Sequence, residues 1–153
     1  MIESAVGKIE NIIAIRLSPG TDVLEGILDT CKKYMIKDGI IMSALGSWRK
    51  VTFCNPTDLP NGKKGYGEPI VLEGVYEVVN LAGMICHDTD GNILPHVHLT
   101  LSDEKGNAYG GHILPGCEVL LTTDIVIGSF TGIEMGRRFD EELGVQVFAP
   151  KNK

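Results

Sequence analysis

The chain has 153 residues, 43% of them hydrophobic and 22% charged, with a formal net charge of -6. That length suits one domain, 1-153, with a real core, and is short for two. The acidic balance is poorly suited to a polyanion, whose phosphates are normally met by Lys and Arg, so direct DNA binding is disfavoured, with Lys63-Lys64 and Arg137-Arg138 the candidates for a local basic patch.

Lys8 to Leu17, rich in isoleucine, reads as a first strand, stopped by Ser18-Pro19-Gly20. Thr21 or Asp22 then caps a helix of about 15 residues, with Val23, Leu24, Ile27, Leu28, Cys31, Tyr34 and Met35 at helical spacing. Its apolar stripe is expected to cover a sheet. Asp38-Gly39 leads into Ile40 to Ser47, a strand ending in small residues, and Trp48 to Cys54 continues as strand. Asn55 to Glu68, with two prolines and three glycines, reads as the longest loop and a candidate rim.

Pro69 to Val75 and Tyr76 to Cys86 follow as strands, with Gly74 near their junction. Glu77 sits among Val75, Tyr76, Val78 and Val79, so its carboxylate needs a partner or solvent. His87 lies in Cys86-His87-Asp88-Thr89-Asp90-Gly91 and reads as a solvated loop residue. Beyond the histidine-rich stretch, Glu118 to Ile127 is a dense run of β-formers and Val145 to Phe148 a short last strand. Arg137, Arg138, Asp140, Glu141 and Glu142 read as a solvated charged cluster. The tally is α+β: about eight strands in one curved, mostly antiparallel sheet, packed by one main helix. That sheet is large for a single covering helix, and self-association would bury the remaining apolar surface.

No apolar run approaches the roughly 18 residues that span a membrane, and the N-terminus lacks a basic segment followed by an apolar one. Cys31, Cys54, Cys86 and Cys117 are scattered without a CxxC pair and read as reduced, buried thiols. Both observations lead to an expected cytoplasmic location.

The chemistry concentrates in Leu94-Pro95-His96-Val97-His98-Leu99-Thr100-Leu101-Ser102-Asp103 and Gly110-Gly111-His112-Ile113-Leu114-Pro115-Gly116-Cys117. On a strand, His96 and His98 project to the same face, and a returning strand after the Asp103 to Asn107 turn brings His112 near them. Three imidazoles with an open position are a recognised zinc arrangement. The same spacing also suits strand histidines satisfied by hydrogen bonds or set at a polar interface.

With Leu45-Gly46-Ser47, Glu73-Gly74-Val75-Tyr76-Glu77-Val78, Leu81-Ala82-Gly83 and Arg138-Phe139-Asp140 added to the histidine segments, the chain resembles the plants and prokaryotes conserved (PPC, DUF296) family from about Ala14 to Phe148. The resemblance implies one principal helix on a curved, mostly antiparallel sheet, assembled as a homotrimer. It also implies that His96, His98 and His112 are the family's clustered histidines, proposed to hold zinc in prokaryotic members. Plant members carry AT-hook segments ahead of the domain; no Arg-Gly-Arg-Pro core occurs in this sequence.

Two functions follow as expectations. In the first, zinc or another divalent metal on the three histidines binds a small anionic ligand or substrate. Glu77 is then the candidate general base, and Ser47, Arg49 or Arg138 orient the anion. In the second, the chain is a DNA-binding-associated assembly or regulatory module whose histidines are structural.

Overall fold

The computed structural model describes residues 2–153. In chain order its elements are β1 (Lys8–Leu17), α1 (Val23–Lys33), β2 (Gly39–Cys54), β3 (Pro56–Asp58), β4 (Lys64–Tyr66), β5 (Ile70–His87), β6 (Ile93–Asp103), β7 (Ala108–Ile113), β8 (Glu118–Thr131), β9 (Ile133–Asp140) and β10 (Val145–Asn152). Eight strands form one sheet in the order β1-β8-β2-β7-β6-β5-β9-β10. Its pairings are antiparallel except for one parallel contact between β5 and β9, at His87 and Gly136. The expected α+β class, with a curved antiparallel sheet and one helix, is what the chain adopts.

Curvature comes from β2 and β5, each long enough to serve several partners. β2 pairs with β5 along one edge and with β8, then β7, along the other. Because β5 also pairs with β6, and β6 with β7, the four strands β2, β5, β6 and β7 close into a ring. The ring shuts where Phe53 meets Ile113 and Cys54 meets His112. Register shifts in β2 at Ile41/Ser43, Gly46/Trp48 and Trp48/Lys50 supply the bend. The sequence reading divided each long strand in two; Gly46 and Gly74 lie within continuous strands of 16 and 18 residues. Among the described residues, β1 sits at the sheet's edge and pairs only with β8, from Lys8 opposite Thr131 to Leu17 opposite Thr123.

Alternation sorts the faces. Val97, Leu99 and Leu101 of β6 join Val51, Phe53, Val78, Leu81, Ile113, Val119 and Ile125 in the core. Val23, Ile27 and Cys31 of α1, all 0% exposed, pack into the same cluster. Trp48 is also fully buried, and its indole Nε1–H donates to Thr123 Oγ1 at 2.9 Å, so its one polar atom is satisfied.

Asp22 caps α1, its Oδ1 accepting from the Glu25 N–H at 3.1 Å, while Oδ2 accepts from the Gly116 N–H at 2.7 Å. The helix has 11 residues, shorter than the spacing suggests. It ends because Met35 adopts φ 55° and the chain reverses, with the Ile36 N–H donating back to the Cys31 carbonyl at 2.8 Å.

Two hairpin turns are built alike, as Asp-x-x-Gly-Asn. In Asp88–Asn92 the aspartate accepts from the backbone N–H groups of Asp90 and Asn92 and from the Asn92 side chain. In Asp103–Asn107 it accepts from Lys105, Asn107 and the Asn107 side chain, and Gly106 takes φ 82°. The expected loop between Asn55 and Glu68 instead holds the hairpin β3–β4, stapled by an ion pair between Lys64 and Asp58.

Candidate metal centre

Three strand segments position the histidines. On β6, His96 and His98 point away from the core while Val97 and Leu99 point into it. The Asp103–Asn107 turn fixes the β6–β7 register, which sets His112 directly opposite His98. Closure of the ring requires β7 to lie hard against the end of β2. Gly111 permits it: a Cβ there would stand 2.4 Å from Asn55 Oδ1 and 2.8 Å from the Cys54 carbonyl oxygen.

The three imidazoles converge. His96 Nε2 and His98 Nε2 are 3.2 Å apart, and His112 Nδ1 lies 3.4 Å from His98 Nε2. One ring nitrogen from each falls within 4.8 Å of the others, a spacing a single ion can bridge. Tyr66 of the β3–β4 hairpin sets its ring 5.3 Å from that of His112, so the hairpin walls the site. On the other side, Ile40, Ile41, Ala82, Gly83 and Met84 form an open apolar hollow of about 380 Å³ beside His96 and His98.

The electrostatics favour uncharged rings at His96 and His112. Burial, then the Arg137 guanidinium, then His112 and His98 hold the His96 imidazole down at about 4. Burial, His98 and Arg137 lower His112 as well. Neutral imidazoles carry the lone pair a metal needs, so the residues present fit a divalent ion.

Of the remaining candidates, Glu77 and Ser47 lie away from the histidines and Arg49 and Arg138 hold carboxylates. Glu77 is exposed and stands in register with Ser47 on one side and Ser102 on the other. On β5 it is five residues from Ala82, the partner of His98, which at about 3.3 Å per residue is on the order of 16 Å. Ser47 and Glu77 instead share a shallow surface hollow with Ser102, Asp103 and Glu104. Arg49 is ion-paired with Glu118, and Arg138 with Glu3 at 2.9 Å.

Two residues depart from the sequence reading. His87 is not a solvated loop residue: it ends β5 with a side chain only 13% exposed, 3.3 Å from Asp38 and 3.4 Å from Glu134. The buried Asp38 carboxylate also accepts from the Met135 N–H at 2.5 Å and from Lys153 Nζ at 2.7 Å. Arg137, read as part of a solvated cluster, is half-buried, with its Nη2 donating to the Gln146 carbonyl at 2.6 Å. Its charge reaches His96, His112 and Cys86 because β9 runs past the end of β5. A local sequence signal for this was absent, since the crossing is tertiary.

Fold and site together define an α+β domain with a closed four-strand ring and a three-histidine cluster on its outer face. The chain belongs to the Plants and Prokaryotes Conserved (PCC) domain family, whose model matches residues 4–131. A metal-containing protein from Archaeoglobus fulgidus has the same fold, at TM-score 0.83 and 22% identity over 96% of this chain and 99% of that one. So does a plant- and prokaryote-conserved (PPC) protein from Pyrococcus horikoshii, at TM-score 0.82 and 24% identity over 96% of each chain. At these identities the likeness is one of fold. A bifunctional protein GlmU from Synechococcus sp. is 28% identical over 87% of this chain, and the chain spans only 19% of that relative's length.

Proposed function

We propose that the protein binds a divalent metal, zinc, through His96, His98 and His112, and that the ion's open position receives a small anionic ligand. The convergence of three ring nitrogens within 4.8 Å carries this reading. All three donors are nitrogen, a set that suits zinc better than the oxygen-seeking calcium and magnesium. Such an ion, when bound, supplies Lewis acidity toward a ligand oxygen or acidifies a bound water. The protein's own share is to keep the His96 and His112 imidazoles neutral, to orient the three rings through the β6–β7 register, and to shelter one side with Tyr66. The metal-containing protein from Archaeoglobus fulgidus, of the same fold, is consistent with this.

The test is elemental analysis by plasma mass spectrometry on the protein and its His96→Ala and His112→Ala variants. About one zinc per chain, lost in both variants, is the expected result. No bound metal after incubation with zinc would sink the proposal.

A second reading, assembly, is favoured by a separate observation. Leu45 of β2, Val75 and Val79 of β5 and Leu121 of β8 are 55–68% exposed on the sheet's outer face. Burial between copies of the chain, as a homotrimer, would remove these side chains from water. In this reading the histidines are structural and the module serves DNA-associated or protein partners. A salt-dependent shift of DNA would favour it, whereas the net charge of -6 weighs against it. No helix among the described residues is long and apolar enough to cross a membrane, and all four cysteines are free and buried, which suits a reducing cytoplasm.

A further inference from the structure

Away from the histidines, the outer face carries a second polar group. Ser47, Glu77 and Ser102 stand in one row across β2, β5 and β6, with Ser47 opposite Glu77 and Glu77 opposite Ser102. Paired residues on antiparallel strands project to the same face, so the three side chains lie side by side, about 4.8 Å from strand to strand. They line a hollow of about 270 Å³ whose apolar walls include Val75 and Leu121. Ser47 is only 9% exposed, yet its hydroxyl has no hydrogen-bond partner among the described residues. Burying a hydroxyl without a partner is costly, and structures normally supply one.

The charge around that hydroxyl has one sign. Glu77, Asp103 and Glu104 line the hollow without a Lys, Arg or His, and none of the three is ion-paired among the described residues. Asp103 is occupied, accepting from Lys105, Asn107 and Tyr109, so it adds charge without a free acceptor. Glu77 is exposed and keeps both oxygens free. Ser102 spends its proton on the Asp103 carbonyl at 3.2 Å and so offers a ligand only lone pairs. An anion, the ligand that the sequence led one to expect for Ser47, is repelled here. Nor is the group compact enough for a metal ion: among the described residues only the three histidines bring three ligand atoms within 4.8 Å of one another. An ammonium fits, since its charge answers the carboxylates and its three N–H donors match the acceptors of Ser47, Glu77 and Ser102.

We propose that this hollow binds a small aliphatic primary amine, its ammonium held by Ser47, Glu77 and Ser102 and its alkyl chain lying along Val75 and Leu121. The site is independent of the metal proposed above, since Glu77 lies five residues along β5 from the partner of His98. Glu77 then serves as a counter-charge in place of a general base, and Ser47 as an acceptor for a cation. Val75 and Leu121 also belong to the surface that the assembly reading buries, so a second copy of the chain is the competing occupant.

The experiment is a titration of butylammonium chloride into the metal-free protein at neutral pH, followed through the backbone amide signals by nuclear magnetic resonance. Tetramethylammonium, a cation without N–H donors, is titrated in parallel. Wild type, Glu77→Gln, Ser47→Ala and, as a control for the same loss of charge elsewhere, Glu141→Gln are compared, with thermal unfolding and sedimentation equilibrium recorded for each. The expected result is saturable shifts centred on Ser47, Glu77 and Ser102, with tetramethylammonium binding about 10-fold or more weakly. Glu77→Gln is expected to weaken butylammonium about 10–100-fold and Ser47→Ala about 3–10-fold, while Glu141→Gln matches wild type. Wild type that does not bind the amine, or shifts centred elsewhere, overturns the proposal; if that wild type is also assembled, a second copy takes the hollow instead. Glu77→Gln that binds as tightly as wild type overturns it as well. Equal affinity for tetramethylammonium also overturns it, since only the negative field would then be at work. Should Ser47→Ala fail to fold, Glu77→Gln, at an exposed position, is decisive. Because no metal is present, failure of the zinc proposal leaves this result untouched.

Discussion

Trp48 and Thr123 are both fully buried and satisfy each other across β2 and β8. Replacing Thr123 with Val keeps the shape but strands the indole N–H, and a loss of about 1–3 kcal/mol is expected from urea unfolding of Thr123→Val. The thiols give a second prediction at this scale. Burial pushes Cys31 and Cys86 up to about 11 and Cys117 up to about 12. In the native protein at neutral pH these thiols are therefore expected to resist a thiol-specific reagent and to react promptly in denaturant. Rapid modification of the native protein would contradict that burial. The histidine pair was legible residue by residue, because Val97, Leu99 and Leu101 mark the buried face and leave His96 and His98 opposite. Arg137 was not, because Arg138, Asp140, Glu141 and Glu142 beside it in the sequence suggest a solvated cluster, whereas its partners in space come from β5 and β10.

Elements owe their ends to single side chains. Asp22 caps α1 and also ties down Gly116 in the β7–β8 connection. Asp22→Ala is expected to cost about 1–2 kcal/mol, the upper part of the usual range for a helix cap, because two N–H groups lose their partner. At the other end, Met35 is 87% exposed at φ 55°. Met35→Gly is expected to stabilise the protein by about 0.5–1 kcal/mol, since relief of the left-handed strain outweighs the entropy glycine adds to the unfolded chain. The sequence narrowed the cap to Thr21 or Asp22, of which Asp22 serves, and overran this end, because methionine gives no stop signal. In the two matched turns, hydrogen bonds led by the side chains of Asn92 and Asn107 hold Asp88 and Asp103 below the usual carboxylate range. A depressed folded value means the unfolded chain binds the proton more readily. The stabilisation is thus complete above the ordinary aspartate value and is lost as pH falls through the folded one. Asn107→Ala is expected to reduce that acid-side slope in pH-dependent thermal melts. Asp, Gly and Asn at fixed offsets made these turns readable, whereas Pro56 and the glycines at 62, 65 and 67 disguised the β3–β4 hairpin as a loop.

At the scale of the whole molecule, the outer face decides behaviour in solution. Under the assembly reading, sedimentation equilibrium is expected to give a trimer, and Val79→Glu to shift it to a monomer without loss of β-structure. A monomeric wild type would remove the need for that interface. The prevalence of strands and the single helix were evident from β-former runs and one helical stripe. Ring closure was not, since it depends on Cys54 meeting His112, residues from distant segments whose pairing no local pattern encodes.

The edge position of β1 has a kinetic consequence. Among the described residues it pairs with β8 alone, and Lys8 finds Thr131 there, so β1 waits unpaired until β8 has been made. β2 likewise lacks one neighbour, since Ile41 pairs with Ile127 on β8. Contacts so distant along the chain make for slow folding, and apolar β-strands stay available to wrong partners throughout that delay. Productive folding on the ribosome therefore turns on β8, whose arrival docks the waiting strand and completes the sheet around β2.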